Sequence, residues 1–480
     1  MSENVDRLSA LAARLRHELD MLAYPAAPWV KPCEHASGRR VLDVLIVGGG
    51  QSGLAIAAGL RREGITNILC LDRSPAGYEG PWETFARMGT LRTPKFLVGT
   101  ELGYPSLSIQ SYYVARFGQD AWDAIDRVPR THWMDYLRWY RQVLGLPVQN
   151  DTTVLSIGRV QDGVITVEAE VRGKPDQFHA RRIVLATGYD GCGEWRIPAE
   201  IASAVDPARV FHSNGPVDFQ VMRGKCVGVL GHGASAFDNA ARALAEGAER
   251  VDLCFRRKQL PLINPHRWIE FVGFLKHFPD LSDRTRWQVN LHFKKIDQPP
   301  ARWGFAEAHS YDRFAMHAGC PWLKLEQTAD GAIVVETPKT RMTFDYLICA
   351  TGSALDFGMR PELALFRDEI LPWRDVFTPA PEEAHPTLGF FPYLGRGYEF
   401  RSRPGGDAET LRRIHAFNFS GIVSMGPHST SVSGHKYSVP RVLRGLTRSI
   451  MLEQEGALVP DLMAYDESDL DMPPTRDAAE

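Results

Sequence analysis

Gly48-Gly49-Gly50-Gln51-Ser52-Gly53 is a Gly-x-Gly-x-x-Gly turn lying between the apolar run Val41–Val47 and a helical stretch at 51–63. This arrangement suits a dinucleotide pyrophosphate. Gly48 permits the tight turn, Gly50 lets the backbone approach the phosphates, and Gly53 lets the helix pack on the strand. The helix start, at Gln51 and Ser52, supplies unpaired N–H groups and a positive dipole end. The next apolar run, Ile68–Leu71, ends at Asp72 and Arg73, where a carboxylate is placed to accept ribose hydroxyls. A merely structural turn needs the glycines but not an acid at this distance.

The same grammar returns at Gly231-His232-Gly233-Ala234-Ser235-Ala236, after the apolar run 227–230 and before a helix at 234–246. Here alanine replaces the third glycine and is small enough for the same helix–strand contact. The following strand, 251–255, ends in Arg256-Arg257-Lys258 rather than an acid. A carboxylate there would repel a 2′-phosphate, whereas guanidinium grips it in a bidentate fork. The alternative for these cations is a solvated strand end. Opposite charge preferences at the two turns predict two cofactors, FAD at the first and NADPH at the second.

These turns need strands and helices to hold them. Strand, glycine turn, helix, strand occurs twice, and each unit is followed downstream by an apolar run closing on Ala-Thr-Gly, at Ala186-Thr187-Gly188 and at Ala350-Thr351-Gly352. The expected fold class is α/β, with two Rossmann-like doubly wound dinucleotide-binding domains, the NADPH domain inserted in the FAD domain. The boundaries read from the sequence are an N-terminal helical extension at 1–40, with leucines at helical spacing, and a first part of the FAD-binding domain at 41–205. The NADPH-binding domain follows at 206–355, with a helical insertion at about 258–327, and the second part of the FAD domain with a C-terminal tail occupies 356–480. After Pro460 the acids Asp461, Asp466, Glu467, Asp469 and Asp471 point to a loosely ordered tail.

With 480 residues the chain exceeds what a single core supports. A formal charge of −3 gives no general attraction to nucleic acid or to an anionic membrane. Seven scattered cysteines include no Cys-x-x-Cys pair and no metal-ligand spacing, which points to a reducing compartment and no metal. Charges break every apolar stretch near the N-terminus, and no window approaches the roughly 18 apolar residues of a membrane span. A cytoplasmic location is expected; the oligomeric state stays open.

Three further positions carry candidate chemistry. Asn264, in Leu262-Ile263-Asn264-Pro265-His266, is the polar candidate of the insertion, although Asn before Pro is also a good helix cap. Trp268, Phe271 and Phe274 read as core rather than pocket. His428 and Ser433 belong to the polar run 426–437, either facing the flavin or forming a hydrogen-bonded loop without a chemical role. His212 and His232 read as structural.

On these motifs, together with Gly80-Pro81-Trp82, Leu91-Arg92-Thr93-Pro94 and Tyr189 after the first Ala-Thr-Gly, the chain resembles the class B flavoprotein monooxygenases over about residues 41–445. That group contains flavin-containing, N-hydroxylating and Baeyer-Villiger monooxygenases. The resemblance implies Trp82 and Thr93 beside the flavin, reaction with molecular oxygen through a C4a-(hydro)peroxyflavin, and NADP⁺ shielding it from water. It implies that 418–426 is the last strand, beside the isoalloxazine, and that Pro440 opens the closing helix. The chain departs from the group's Phe-x-Gly-x-x-x-His fingerprint, since Asp206 and Ala208 stand where Phe and Gly would be. The expected activity is FAD- and NADPH-dependent oxygenation of a small molecule, by N- or S-oxidation. Beside it stand ketone oxidation of the Baeyer-Villiger type, electron transfer to a quinone or protein acceptor, and a nucleotide-sensing protein without turnover.

Overall fold

In the computed structural model, which describes residues 2–97 and 99–470, the N-terminal leucine repeat is helix α1 (Ser2–Met21). Leu15 and Leu19 enter the main core. The first sheet contains β1 (Val41–Val47), β2 (Ile68–Leu71), β3 (Val148–Gln149), β4 (Thr152–Gln161), β5 (Val164–Val171) and β6 (Lys174–Leu185), in the order β3-β2-β1-β6-β5-β4. Strands β3, β2, β1 and β6 pair in parallel, and β6, β5 and β4 form an antiparallel meander. All of β1 is buried, so it reads as an almost continuous apolar run; its one acid, Asp43, meets Arg181 at 3.5 Å. Helix α2 (Gln51–Arg62) covers this sheet. At Gly59 an added Cβ would stand 2.4 Å from Leu443, so a bare backbone is what lets the C-terminal helix lie close.

The second sheet is wholly parallel. It contains β7 (Val210–His212), β8 (Cys226–Leu230), β9 (Arg250–Phe255), β10 (Phe314–Ala318) and β11 (Tyr346–Cys349), in the order β10-β9-β8-β11-β7. Helix α3 (Ala234–Ala245) packs on it, and Val229, Phe237, Leu244, Leu253 and Ile348 build a core separate from the first. Between β9 and β10 lie α4 (Pro265–Trp268), α5 (Val272–His277), α6 (Asp283–Ile296) and α7 (Arg302–His309). The six cysteines described in full are free thiols. No helix among the described residues is long and apolar enough to cross a membrane.

Several expectations need correction. The helical part of 258–327 ends at His309. Phe314–Ala318 is an edge strand, and Lys324–Gln327 opens a three-stranded antiparallel sheet. Trp268 and Phe271 are not core: they are 72% and 48% exposed, and only Phe278 behind them is fully buried. Helices of one or two turns cannot bury two faces, so these rings pack edge-to-face on one another, with Trp268 and Phe271 centred 5.6 Å apart.

The last strand comes earlier than 418–426. Ile414–His415 pairs with β6, and the Asn418 side chain then accepts from Ser420 N and turns the chain into helix. Pro440 lies inside helix α8 (Val432–Glu453), on its exposed side, and the cap is Ser431. After Pro460 the chain stays helical to Met463 in α9 (Glu455–Met463); Asp471 lies outside the described residues.

Candidate functional site

The first turn is built as its glycines require. Gly48 has φ +108°, and a Cβ there would stand 2.5 Å from Ala186 O. At Gly53 a Cβ would lie 1.9 Å from Gly48 O. Gly50 differs: its nearest neighbour would be the Gly80 backbone at 3.8 Å, so the space in front of it is open. That opening leads to a cavity of about 300 Å³ lined by Gly49, Gly50, Gly77, Glu79, Arg138 and Arg141, among others. A bare turn, a helix N-terminus with no side-chain cap at Gly50 and an adjoining cavity fit a bound dinucleotide.

Asp72 stands one layer back from that cavity. Its carboxylate accepts from Gly49 N at 2.7 Å and from Ser74 N at 2.8 Å, so it holds the turn in shape, and Arg73 beside it is exposed. The acid that does line the cavity is Glu79, held by Arg141 and Asn150, each at 2.7 Å. Sequence reading missed Glu79, because its place depends on a loop rather than on a strand end.

Gln51 accepts from Trp133 Nε1 at 3.3 Å and donates to Thr430 O at 3.5 Å, while Ser52 Oγ meets His435 Nε2 at 3.0 Å. Trp82 is buried, with Nε1 lacking a partner, and Thr93 is half-buried on the same connecting segment. Thr187 accepts from Asn418 Nδ2 at 3.1 Å, and Gly188, at φ +61°, bridges Asn418. The closing tripeptide is thereby tied to the C-terminal part of the chain.

At the second turn Gly231 has φ +145° and its Cβ would lie 2.6 Å from Ala350 O. Nothing stands within 4 Å of a Cβ on Gly233. Ala236 is fully buried against the sheet, and Ser235 O accepts from Asn239. The two arginines diverge. Arg257 donates to Lys295 O at 3.3 Å and lies 3.8 Å from Asp297, whereas Arg256 is exposed with no ion pair among the described residues. Thr351 donates to Arg196 O, and Gly352 O accepts from His212 Nε2 at 3.1 Å, which gives His212 a structural role.

The segment after the first turn joins the two units. Arg87 donates to Gly215 O at 3.3 Å and Arg92 to Pro299 O at 3.1 Å, and a Cβ on Gly89 would come 4.0 Å from the Trp303 ring. His266, in the insertion, reaches His428, in the C-terminal part of the chain, at 2.9 Å. Asn264 caps α4 by accepting from His266 N at 3.1 Å, so of its two expected roles the cap is the one formed here.

Sequence reading also missed Asp238. Its place on α3 is buried against α7, Oδ1 has no hydrogen-bond partner among the described residues, and a Cβ on Gly304 would stand 2.6 Å from that oxygen. Burial pushes its carboxyl up to about 7, with the charge of Arg92 opposing. The folded pKa lies above the unfolded one, so the group costs nothing below about pH 4 and its full penalty is reached above pH 7. Asp238→Asn is expected to raise the melting temperature at pH 8 by an amount equivalent to a few kcal/mol and to leave it unchanged at pH 4. Thermal melts of both proteins across this range check it; an equal gain at both pH values would refute the assignment.

Two sheets, one mixed and one parallel, each leading from a strand through a glycine turn into a helix, are the arrangement of a flavin-dependent oxidoreductase with two dinucleotide turns. Residues 45–302 match the family model described as pyridine nucleotide-disulphide oxidoreductase, and the chain belongs to that family. Across 463 residues it is 41% identical to a FAD-dependent urate hydroxylase of Xanthomonas campestris pv. campestris, covering 96% of this chain and 97% of that one.

Among solved structures it is similar to the ornithine hydroxylase of Pseudomonas aeruginosa, with a TM-score of 0.67 at 18% identity, covering 85% of this chain and 99% of that one. The L-lysine 6-monooxygenase of Pseudomonas syringae matches with a TM-score of 0.64, also at 18% identity and over 85% and 99% of the two chains. These two likenesses establish the mixed α/β fold.

Proposed function

We propose that this protein is a FAD-containing, NADPH-dependent monooxygenase that uses molecular oxygen to hydroxylate an oxopurine of the urate kind. The observation that carries the substrate class is the 41% identity with a urate hydroxylase along nearly the whole of both chains. In this reading 41–205 and 356–480 form the FAD-binding domain, and 206–355 is the inserted NADPH-binding domain; both have the Rossmann-like doubly wound arrangement. FAD lies along Gly48, Gly50, Gln51, Ser52 and Gly53, with Trp82, Thr93, Ala186, Thr187 and Gly188 on its far side. NADPH lies on Gly231, Gly233, Ser235 and Ala236, with Arg256 at the 2′-phosphate and Thr351 and Gly352 closing the crevice. The flavin supplies the electron-transfer and oxygen chemistry; the chain orients the two rings and excludes water.

A second reading, N- or S-oxygenation of another small molecule, draws on the fold shared with the ornithine hydroxylase of Pseudomonas aeruginosa. NADPH oxidation, oxygen uptake and product formation with urate and with a panel of amines and thioethers separate the two. Equimolar NADPH, oxygen and hydroxylated urate support the first. Coupled turnover of an amine or thioether alone supports the second. NADPH oxidation that reduces a quinone and yields no oxygenated product rejects both.

A further inference from the structure

A chain of hydrogen bonds that begins at a helix cap ends at one imidazole nitrogen. Ser431 Oγ accepts from Gly434 N at 3.1 Å and donates to His428 O at 3.0 Å. With that hydroxyl proton committed, the remaining lone pair faces His428 Nδ1 at 3.1 Å, which sets the hydrogen on Nδ1 provided that the Ser433 hydroxyl, 3.3 Å from the same nitrogen and 3.2 Å from Ser431 Oγ, does not donate to the ring. His428 Nε2 is then an acceptor, and it takes the hydrogen of His266 Nδ1 at 2.9 Å. The lone pair passed along the chain emerges at His266 Nε2, which has no hydrogen bond among the described residues and is not sealed from solvent.

Groups flanking this chain touch both nucleotide turns. At one end Thr430 O accepts from Gln51, the residue after Gly50. At the other, Asp297, one of the charges facing His266, accepts from His232 inside the second turn at 3.0 Å. The groups around the pair are Arg92 and Asp297 toward His266, the Phe293 ring centred 4.7 Å from the His266 ring, and Arg441, Ser429 and Ser438, which line one small pocket with His428. Burial, then the charge of Arg92, lowers His266 to about 4; burial, then His266, lowers His428 to about 3. Both rings are therefore neutral near pH 7, so the acceptor at Nε2 stays open to a donor.

We propose that His266 is a substrate-contacting residue whose Nε2 accepts a ring N–H of the oxopurine, with His428 and Ser431 as positioning residues that fix its tautomer. The assignment rests on the oxopurine reading above. A base that fixes a heterocycle through one N–H rejects the derivative methylated at that nitrogen, because the methyl group removes the donor and clashes with the ring.

The test compares urate with its mono-N-methyl derivatives in the flavin-loaded wild type, His266→Ala, His266→Gln and His428→Gln. Wild type is expected to discriminate against one of the methyl derivatives by 10- to 100-fold in kcat/KM. His266→Ala should raise the KM for urate by about tenfold or more and abolish that discrimination, with flavin content retained. His266→Gln, which keeps a carbonyl acceptor, should restore most of the discrimination, and His428→Gln, whose carbonyl can take the His266 Nδ1 hydrogen, should retain it. His266→Ala that turns over urate with the wild-type preference intact overturns this assignment alone. A wild type that does not turn over urate overturns the substrate reading and this assignment with it.

Discussion

Gly50→Ala should leave the protein folded and nearly colourless. The built Cβ has only the Gly80 backbone at 3.8 Å, and Gly50 has φ −73° and ψ −170°, a conformation alanine adopts without strain. The empty turn therefore tolerates the methyl group, and the melting temperature of the flavin-free protein should stay within a few degrees of wild type. A pyrophosphate seated on that turn does not tolerate it, because the added Cβ falls where the phosphate oxygens meet the backbone amides. A loss of about 100-fold in FAD affinity, about 3 kcal/mol, is expected. Flavin absorbance per protein after dialysis, and titration of the stripped protein with FAD, measure it. The contrast is Gly53→Ala, whose Cβ would stand 1.9 Å from Gly48 O and should damage the fold itself. Retention of full flavin content by Gly50→Ala would show that the dinucleotide does not approach this turn.

The second large effect belongs to Arg256. It is exposed at the end of β9, whereas its neighbour Arg257 is held by Lys295 O and Asp297. A charge-assisted bond to phosphate contributes about 1.5–3 kcal/mol, so Arg256→Ala should raise the KM for NADPH by about 10- to 100-fold. NADH has no 2′-phosphate, and its KM should be unaffected; the preference between the coenzymes therefore collapses from one side only. Steady-state kinetics with both coenzymes decide it. An equal rise for both would mean that Arg256 supports the fold or the pyrophosphate rather than the 2′-phosphate.

Much of this architecture was legible before any coordinates. β1 and β2 have the predicted bounds, and α2, β8, α3 and β9 fall within a residue of theirs, because buried parallel strands and their glycine turns are coded by short, local patterns. The misreadings share a physical cause. Trp268 and Phe271 have helical spacing, but spacing does not say which face meets a neighbour, and α4 and α5 are too short to bury both rings. Pro440 suggested a helix start, yet a proline on the exposed side of a helix of 22 residues is carried by the packing of the rest. Phe314–Ala318 is five residues long and only half-buried, so it gave little signal against the helices before it.

What the sequence determined by itself is the pair of glycine turns, the strands and helices around them and the opposite charges at the two strand ends, since each is a relation between residues close in the chain. The tertiary structure decided that the segment at 87–92 bridges the two units, that Glu79 rather than Asp72 lines the first cavity, and that Asp238 Oδ1 is buried with no hydrogen-bond partner among the described residues. It also decided that His266 and His428, 162 positions apart, share a hydrogen bond. Those facts depend on which segments pack together, and packing is set by side-chain shape and burial summed over the whole chain, which no local pattern encodes.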